Sequence, residues 1–303
     1  MAYGLQTYQS SVRREDLIDI IADVSPDENP LTTMLATTDA SQTLHEWSED
    51  YITRPTSVNS AVEGAAATYG DLTAPSRRNN ITQIISKTFR VSGTERAVST
   101  VEGDPYDYQA AKALKNWKND LEFALVRSTV ASGSSGVARA MAGLQAVITS
   151  HYTARLSGTS MNETEFNDMV REVWNDVGQS DVFDLVLVPM GLKQKISTFT
   201  AGSTRYVDAS DKRLTRPVMV YESDGGVHRI MAHKDVYNST TTPGPHFLGI
   251  KEDKYRIAYL RKPVRENLAR DGDRDNGQIV GEATLEFLAE RTSVRRSGYN
   301  TTG

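Results

Sequence analysis

Thr53–Asn80 reads TRPTSVNSAVEGAAATYGDLTAPSRRNN and separates two strand-like runs, Ser41–Ile52 and Ile81–Ser92. The insert is made largely of Thr, Ala, Ser, Gly, Asn and Pro, so it lacks the apolar area to offset an ordering cost of roughly 1–2 kcal/mol per residue. Connections of this length inside compact domains are uncommon and usually functional. The stretch Ser41–Ser92 therefore reads as a long two-stranded arm that projects from the body and is ordered by something else. Another copy of the same chain is the most economical candidate.

Composition sets the frame for that arm. A chain of 303 residues, 38% hydrophobic, holds one large domain or two modest ones. A net charge of -5 and a pI near 5.6 argue against a dedicated nucleic-acid binder, while leaving room for passive contact with nucleic acid. Cysteine is absent, which excludes disulfides, thiolate zinc sites and cysteine nucleophiles and suits a reducing cytoplasm. The start, MAYGLQTYQSSVRRED, has no apolar signal region, and no window approaches the roughly 18 apolar residues of a membrane span. The expectation is a soluble, unsecreted chain with no membrane partner. The sequons at Asn80, Asn162, Asn238 and Asn300 then carry no weight.

Periodicity supplies the elements. Residues 12–24 place Leu17, Ile20, Ile21 and Val24 at helical spacing, and Asn29-Pro30 caps and begins a brief helix through Leu31, Met34 and Leu35. A longer helix starts at Pro105 and runs to Ser128, its stripe passing through Tyr108, Ala111, Leu114 or Lys115, Trp117 or Lys118, Leu121, Ala124 and Leu125. Ala131–Gly136 reads as a small-residue linker at a subdomain boundary. From Asn162 the texture turns to alternating helix and strand. Asn162 with Glu165 forms a capping box, and Phe166, Met169, Val170, Val173, Trp174 and Val177 form the buried stripe behind it. Phe183–Val188 is a central strand covered on both faces, and Leu192–Phe199 is a short helix. Pro217–Glu222 and Val227–Ala232 make a hairpin whose turn needs positive φ, followed by strands at His246–Lys251 and Tyr255–Leu260. Gln278–Arg291 alternates with period two: Ile279, Gly281, Ala283, Leu285, Phe287 and Ala289 on a buried face, Glu282, Glu286 and Glu290 on a wet one.

Several short stretches in this order carry a family likeness: Arg14-Glu15-Asp16-Leu17 with Ser25-Pro26 and Asn29-Pro30; Leu44-His45-Glu46-Trp47; Ser86 to Thr94; Gly143-Leu144-Gln145; and Ile279 to Glu282 with Thr284-Leu285-Glu286. With them the chain resembles the HK97-fold major capsid proteins of tailed bacteriophages, in the phage SU10-like branch. The resemblance implies an α+β, HK97-like capsid fold. Residues 1–40 would be the N-arm and 41–92 the extended E-loop hairpin. Residues 93–139 would be the P-domain with its spine helix and β-sheet, 140–265 the compact α/β A-domain, and 266–303 the P-domain return strand and C-terminus. It further implies pentamers and hexamers closing an icosahedral or prolate head around double-stranded DNA, in a virion assembled in the host bacterial cytoplasm. Met1 leaves almost no room for a cleaved scaffolding extension, so scaffolding, portal and cementing proteins would be separate chains.

Charge sharpens the arm. Glu46, Glu49 and Asp50 on the outgoing strand and Arg77, Arg78, Lys87 and Arg90 on the returning side make it bipolar, suited to crossing a neighbour's surface. Exposed pairs each contribute roughly 0–1 kcal/mol, so Trp47, Ile81, Ile85 and Phe89 are expected to supply most of the binding. Lys112, Lys115 and Lys118 on the long helix are weak candidates to face packaged DNA, against the commoner reading of a solvated helical face. Asp271–Gly277 with Glu282 invites a calcium loop, but position six is Asn276 where a glycine is needed, and a strand follows instead of a helix. His228 and His233 sit five apart on a strand and so face opposite ways. No nucleophile elbow or phosphate loop marks an enzyme, so neither catalysis nor a cofactor is expected. An encapsulin-like cargo compartment and an α/β enzyme with a long lid stay open as alternatives.

Overall fold

From Asn29 the chain enters a short helix, α1 (Pro30–Met34), with proline at the first position, where its missing N–H has no partner to lose. Four strands follow, β1 (Ala36–Asp39), β2 (Leu44–Glu49), β3 (Ser76–Ile81) and β4 (Gln83–Ser92), and then helices α2 (Gly93–Ala97) and α3 (Pro105–Arg127). The second half runs α4 (Leu144–Val147), β5 (Tyr152–Ser160), α5 (Glu163–Val177), β6 (Leu185–Val188), α6 (Met190–Phe199), β7 (Val220–Ser223) and β8 (Gly226–Ala232). It closes with β9 (Phe247–Ile250), β10 (Tyr255–Leu268), β11 (Arg274–Phe287) and β12 (Val294–Asn300). This computed structural model describes residues 29–52, 54–67, 74–98, 104–199, 220–236 and 244–300. The helix expected at 12–24 and the strand start expected at Pro217 lie outside them.

Helix α3 begins where Asp104 accepts the Tyr106 N–H at 2.9 Å, and its buried face carries Tyr106, Ala110, Ala113, Trp117, Leu121, Ala124 and Leu125. That corrects the expected stripe in its first half, since Ala111 is exposed and Leu114 is 36% exposed. Both phases offer apolar residues, and aromatic contacts decide between them. Tyr106 packs against Phe89 with ring centroids 5.1 Å apart, and Trp117, 1% exposed, donates its indole N–H to the Ile85 carbonyl at 2.8 Å. Gly281 on β11 lets the helix lie this close, because a Cβ there would stand 2.5 Å from the Trp117 ring.

Beneath α3 is a four-stranded sheet in the order β1-β10-β11-β4, with β1 parallel to β10 and the other pairs antiparallel. Strand β10 runs eight residues past the expected end at Leu260, because register shifts on either side of Arg261 absorb Pro263. The acidic face of β11 is not wet as expected. Glu282, Glu286 and Glu290 are 3%, 6% and 4% exposed, and neutral or cationic partners from other segments cover them.

A six-stranded sheet, β5-β12-β9-β6-β8-β7, forms the α/β layer. Period two divides β6 between two cores: Leu185 and Leu187 join Trp117, Leu125 and Ile257, while Val186 and Val188 join Phe166, Met169 and Ile196 of α5 and α6. Strands β5 and β12 were not expected. The VRRSGYN of β12 shows no apolar alternation, and its place is fixed by Arg296, which donates to the His151 carbonyl at 2.9 Å and pairs with Glu172, and by Tyr299, whose hydroxyl donates to Glu165 at 3.1 Å. Asn162 caps α5 through the Glu165 N–H at 2.8 Å, but the Glu165 carboxylate turns to Arg155 and Tyr299, so half of the capping box forms. Trp174, expected inside, is 47% exposed. The Ala131–Gly136 stretch folds back on itself through bridges Ala131–Ala140 and Ser134–Val137 and so is a closed turn instead of an open linker. In the β7–β8 hairpin the positive φ falls on Gly226, just after the Asp224-Gly225 loop.

His228 lies in the α/β core with ring centroids 5.3 Å from Phe166 and 4.8 Å from Phe183; its Nδ1 faces the Phe183 carbonyl at 2.8 Å and its Nε2 the Ser223 hydroxyl at 2.7 Å. Burial pushes its pKa down from 6.5 to about 4, with the Phe183 hydrogen bond opposing that shift. The unfolded chain therefore binds the extra proton between pH 6.5 and about 4, and stability present above that window is lost as pH falls through it. The expected loss from this residue is about 3 kcal/mol, from 1.36 kcal/mol per pKa unit. Denaturant unfolding at stepped pH checks it, and a His228→Gln variant should show a flatter profile.

Candidate functional site

The arm is real, but its return strand is not the one expected. Strand β2 pairs with β3, from Leu44 opposite Ile81 to Glu49 opposite Ser76, whereas β4 belongs to the four-stranded sheet beside β11. The changeover falls on Thr82, 0% exposed, whose N–H closes the hairpin on the Thr43 carbonyl at 2.8 Å and whose hydroxyl donates to Glu282 at 2.6 Å. No linker separates arm from sheet.

Side chains lock this base. Asn80, 1% exposed, donates to the carbonyls of Ala142 and Leu285 at 3.0 and 2.7 Å and accepts the N–H groups of Ile81 and Ala142, each at 2.9 Å. Glu282 also receives Arg139 at 2.6 Å and Arg261 at 3.2 Å, and Glu286 meets His45 of β2 at 3.0 Å. Higher up, Arg78 contacts Glu49 at 2.6 Å, and the Tyr51 hydroxyl donates to the same carboxylate. Burial and then that carboxylate hold the Tyr51 phenol well above its usual range. The Arg291 guanidinium stacks over the Tyr51 ring at 4.7 Å and reaches Asp176 of α5 at 3.3 Å, which fastens the outer end of the arm's ladder to the α/β layer as well.

This geometry redistributes the expected contact residues. Ile85 is 5% exposed in the core, Trp47 packs edge-on against Phe287 at 4.8 Å, Phe89 packs on Tyr106, Glu49 is buried, and Lys87 pairs with Asp120 of α3 at 2.7 Å. These five serve the chain's own interior and the seam between β4 and α3. Glu46, Asp50, Arg77, Arg78 and Arg90 remain on the surface, with Arg77 3.5 Å from Glu46. The most uncovered apolar groups lie farther out than expected: Ile52, Val58 and Val62 are 98%, 90% and 80% exposed, against 45% and 51% for Leu44 and Ile84 near the base. Sequence reading missed Val58 and Val62 because each stands alone among small or polar residues, and it took Ile52 only as the end of the outgoing strand. A turn at Val62–Ala65, with the Ala65 N–H on the Val62 carbonyl at 3.0 Å and Gly64 at φ +78°, redirects the chain just beyond them.

Other candidates resolve differently. Lys112, Lys115 and Lys118 are exposed on α3, and the last two line a cleft of about 340 Å³ with Asn29, Thr32, Tyr259 and Pro263. Of the Asp271–Gly277 stretch, the part from Arg274 is already β11; Asp275 takes Arg96 and Arg270, each at 2.6 Å, and Asp271 faces Arg274 at 3.5 Å, while Glu282 is spent at the arm base. His151 lies between Glu172 at 3.4 Å and Asp176 at 3.3 Å, and Arg296 and Arg291 take the same two carboxylates. Among the described residues, no group of histidines and carboxylates is arranged to hold a metal, and no helix is long and apolar enough to cross a membrane.

Comparison with known proteins follows the same lines. Residues 3–299 match the family model described as SU10 major capsid protein. The chain is 29% identical over 117 residues to the major capsid protein of Escherichia phage Phieco32, an alignment that takes in 38% of this chain and 33% of that protein, about a third of its length. Among solved structures it is similar to the capsid asymmetric unit of cyanophage A-1(L), with a TM-score of 0.69 and 13% identity over 97% of this chain and 99% of that one. It is also similar to the SrpI encapsulin of Synechococcus elongatus PCC 7942, with a TM-score of 0.62 and 10% identity over 100% and 98% of the two chains. At these identities the structural likeness speaks to fold.

Proposed function

The chain belongs to the SU10 major capsid protein family, and from that premise we propose that its copies associate into pentamers and hexamers that close an icosahedral or prolate head around the double-stranded DNA of a tailed phage. The observation that carries this reading is the arm: its base is fixed to its own sheet by buried hydrogen bonds, while its outer part holds large apolar side chains that its own chain leaves uncovered. Heterologous contacts of this kind close into rings when the rotation permits. Ile52, Val58 and Val62 supply apolar area against a neighbouring subunit, and Glu46, Asp50, Arg77, Arg78 and Arg90 set register around them.

The family role is structural. In its terms, residues 1–40 are the N-arm, whose β1 adds to the edge of the four-stranded sheet, and the E-loop runs from 41 to the changeover at Thr82 instead of the expected Ser92, because β4 belongs to that sheet. Helix α3 with the four-stranded sheet is the P-domain, which takes in β10 from the expected 140–265 A-domain, and the six-stranded sheet with α5 and α6 is the A-domain, which takes in β12 from the expected 266–303 return segment. Lys112, Lys115 and Lys118 give α3 a modest cationic face for weak, sequence-independent contact with packaged DNA. Scaffolding, portal and cementing proteins are separate chains in this reading, and assembly takes place in the host cytoplasm. The encapsulin likeness follows from the shared fold, and family membership favours the phage head. Electron microscopy of the purified chain, expressed alone and with its neighbouring proteins, should reveal uniform hollow shells; a chain that stays monomeric under both conditions would overturn the reading.

A further inference from the structure

Glu122 sits within α3 at 0% exposure, a place where a carboxylate is costly unless its acceptor positions are filled. One oxygen accepts the Leu31 N–H and faces His233 Nε2, both at 2.8 Å, and the other accepts the Thr32 N–H at 2.9 Å. His233 directly follows β8 and is itself 4% exposed. The Asp235 N–H donates to its Nδ1 at 3.1 Å, which makes Nε2 the ring's donor, directed at Glu122. The His233 N–H in turn donates to the Val188 carbonyl at the end of β6, at 2.9 Å. One side chain on α3 thus holds the start of α1 on one side and the rim of the six-stranded sheet on the other.

The rest of that boundary is mainly apolar: Leu121 and Leu125 of α3 share a core with Leu185, Leu187, Leu248 and Ile250 of the sheet, and at its edge Arg127 of α3 donates to the Asp235 carbonyl. Apolar burial holds two layers together without direction, so it favours contact but tolerates sliding. A buried polar contact fixes one register, as a single polar core position does in a coiled coil. We propose that Glu122 and His233 are the positioning pair of the subunit, setting the register of the α/β layer on α3 and, through Leu31 and Thr32, the place where the N-terminal segment enters. Every subunit contact made by that layer or that segment inherits the setting, so the pair governs shell uniformity more than subunit folding.

This inference rests on the shell-forming reading, and the test separates the two. His233→Ala removes the Glu122 contact to the α/β layer and leaves in place the Arg127 contact to the Asp235 carbonyl and both backbone N–H groups on Glu122; His233→Gln keeps an N–H donor in its place. The expected result is that both variants fold, that the alanine variant loses uniform shell diameter and gives open or irregular particles by electron microscopy, and that the glutamine variant restores uniformity. Alanine-variant shells matching the parent in diameter despite a lower melting temperature would reduce the pair to a stability role and overturn the proposal. An alanine variant that cannot fold, or a glutamine variant that does not rescue, would overturn it too. If the parent chain itself forms no shells, the functional reading fails, and the pair is judged on the isolated subunit by small-angle scattering: an alanine profile unlike the parent's supports it, and superimposable profiles overturn it.

Discussion

Trp117→Ala should lower the unfolding free energy by about 3–5 kcal/mol, the range for emptying a fully buried tryptophan site. Trp117 is 1% exposed, fills the space above Gly281, and holds the Ile85 carbonyl through its indole N–H. Little is positioned to collapse into the void, because the facing β11 residue has no side chain and Ile85 is held in its ladder with Gly281. A loss of this size corresponds to a fall in melting temperature of roughly 10 °C. It is measured by denaturant unfolding with the slope held in view, and a change under about 1 kcal/mol would mean that α3 lies on the sheet less tightly than described.

Asn80→Ala should act on the arm more than on the body. It removes four hydrogen bonds at once, leaving the Leu285 carbonyl without its side-chain donor in a buried setting and the Ala142 N–H without its acceptor in a part-buried one. At about 1–3 kcal/mol for each buried group left unpaired, the expected cost is about 3 kcal/mol. Much of it should appear as local opening at the hairpin base. Hydrogen exchange is the appropriate readout: amides of β3 and of residues 140–143 should lose protection, while those of β6 and β9 keep theirs. Uniform loss across the chain would show that the base opens only with global unfolding.

The legibility of this chain followed its apolar periodicity. Helix α3 from Pro105, α5 behind Asn162, the doubly covered β6 and the alternating β11 could all be read, because each buries a face whose spacing the sequence states. The return strand of the arm could not. Its SRRNNI has no apolar alternation, and its place is set by Asn80 reaching Ala142 and Leu285, partners 62 and 205 residues away. The acids of β11 misled for the same reason: period two marked Glu282 and Glu286 as a separate face, but their cover comes from Arg139, Thr82 and His45 on distant segments. At the arm, the outline and the charged groups were legible. The division between residues spent on the base and residues left uncovered was not, because it depends on where Thr82 changes sheets.

That changeover also allots rigidity. With β3 and β4 meeting at one buried residue, the arm takes its direction from β4 and has no slack at its root. In the proposed shell, subunits around pentamers and hexamers would occupy quasi-equivalent surroundings, and a chain of fixed covalent structure would have to absorb the differences somewhere. In that shell the adjustment would fall to the stretch beyond Tyr51 and Ser76, where the β2–β3 ladder has ended. A run of small and polar residues, unable to make a fold of its own, is suited to adopting a different path at each site while its root stays the same.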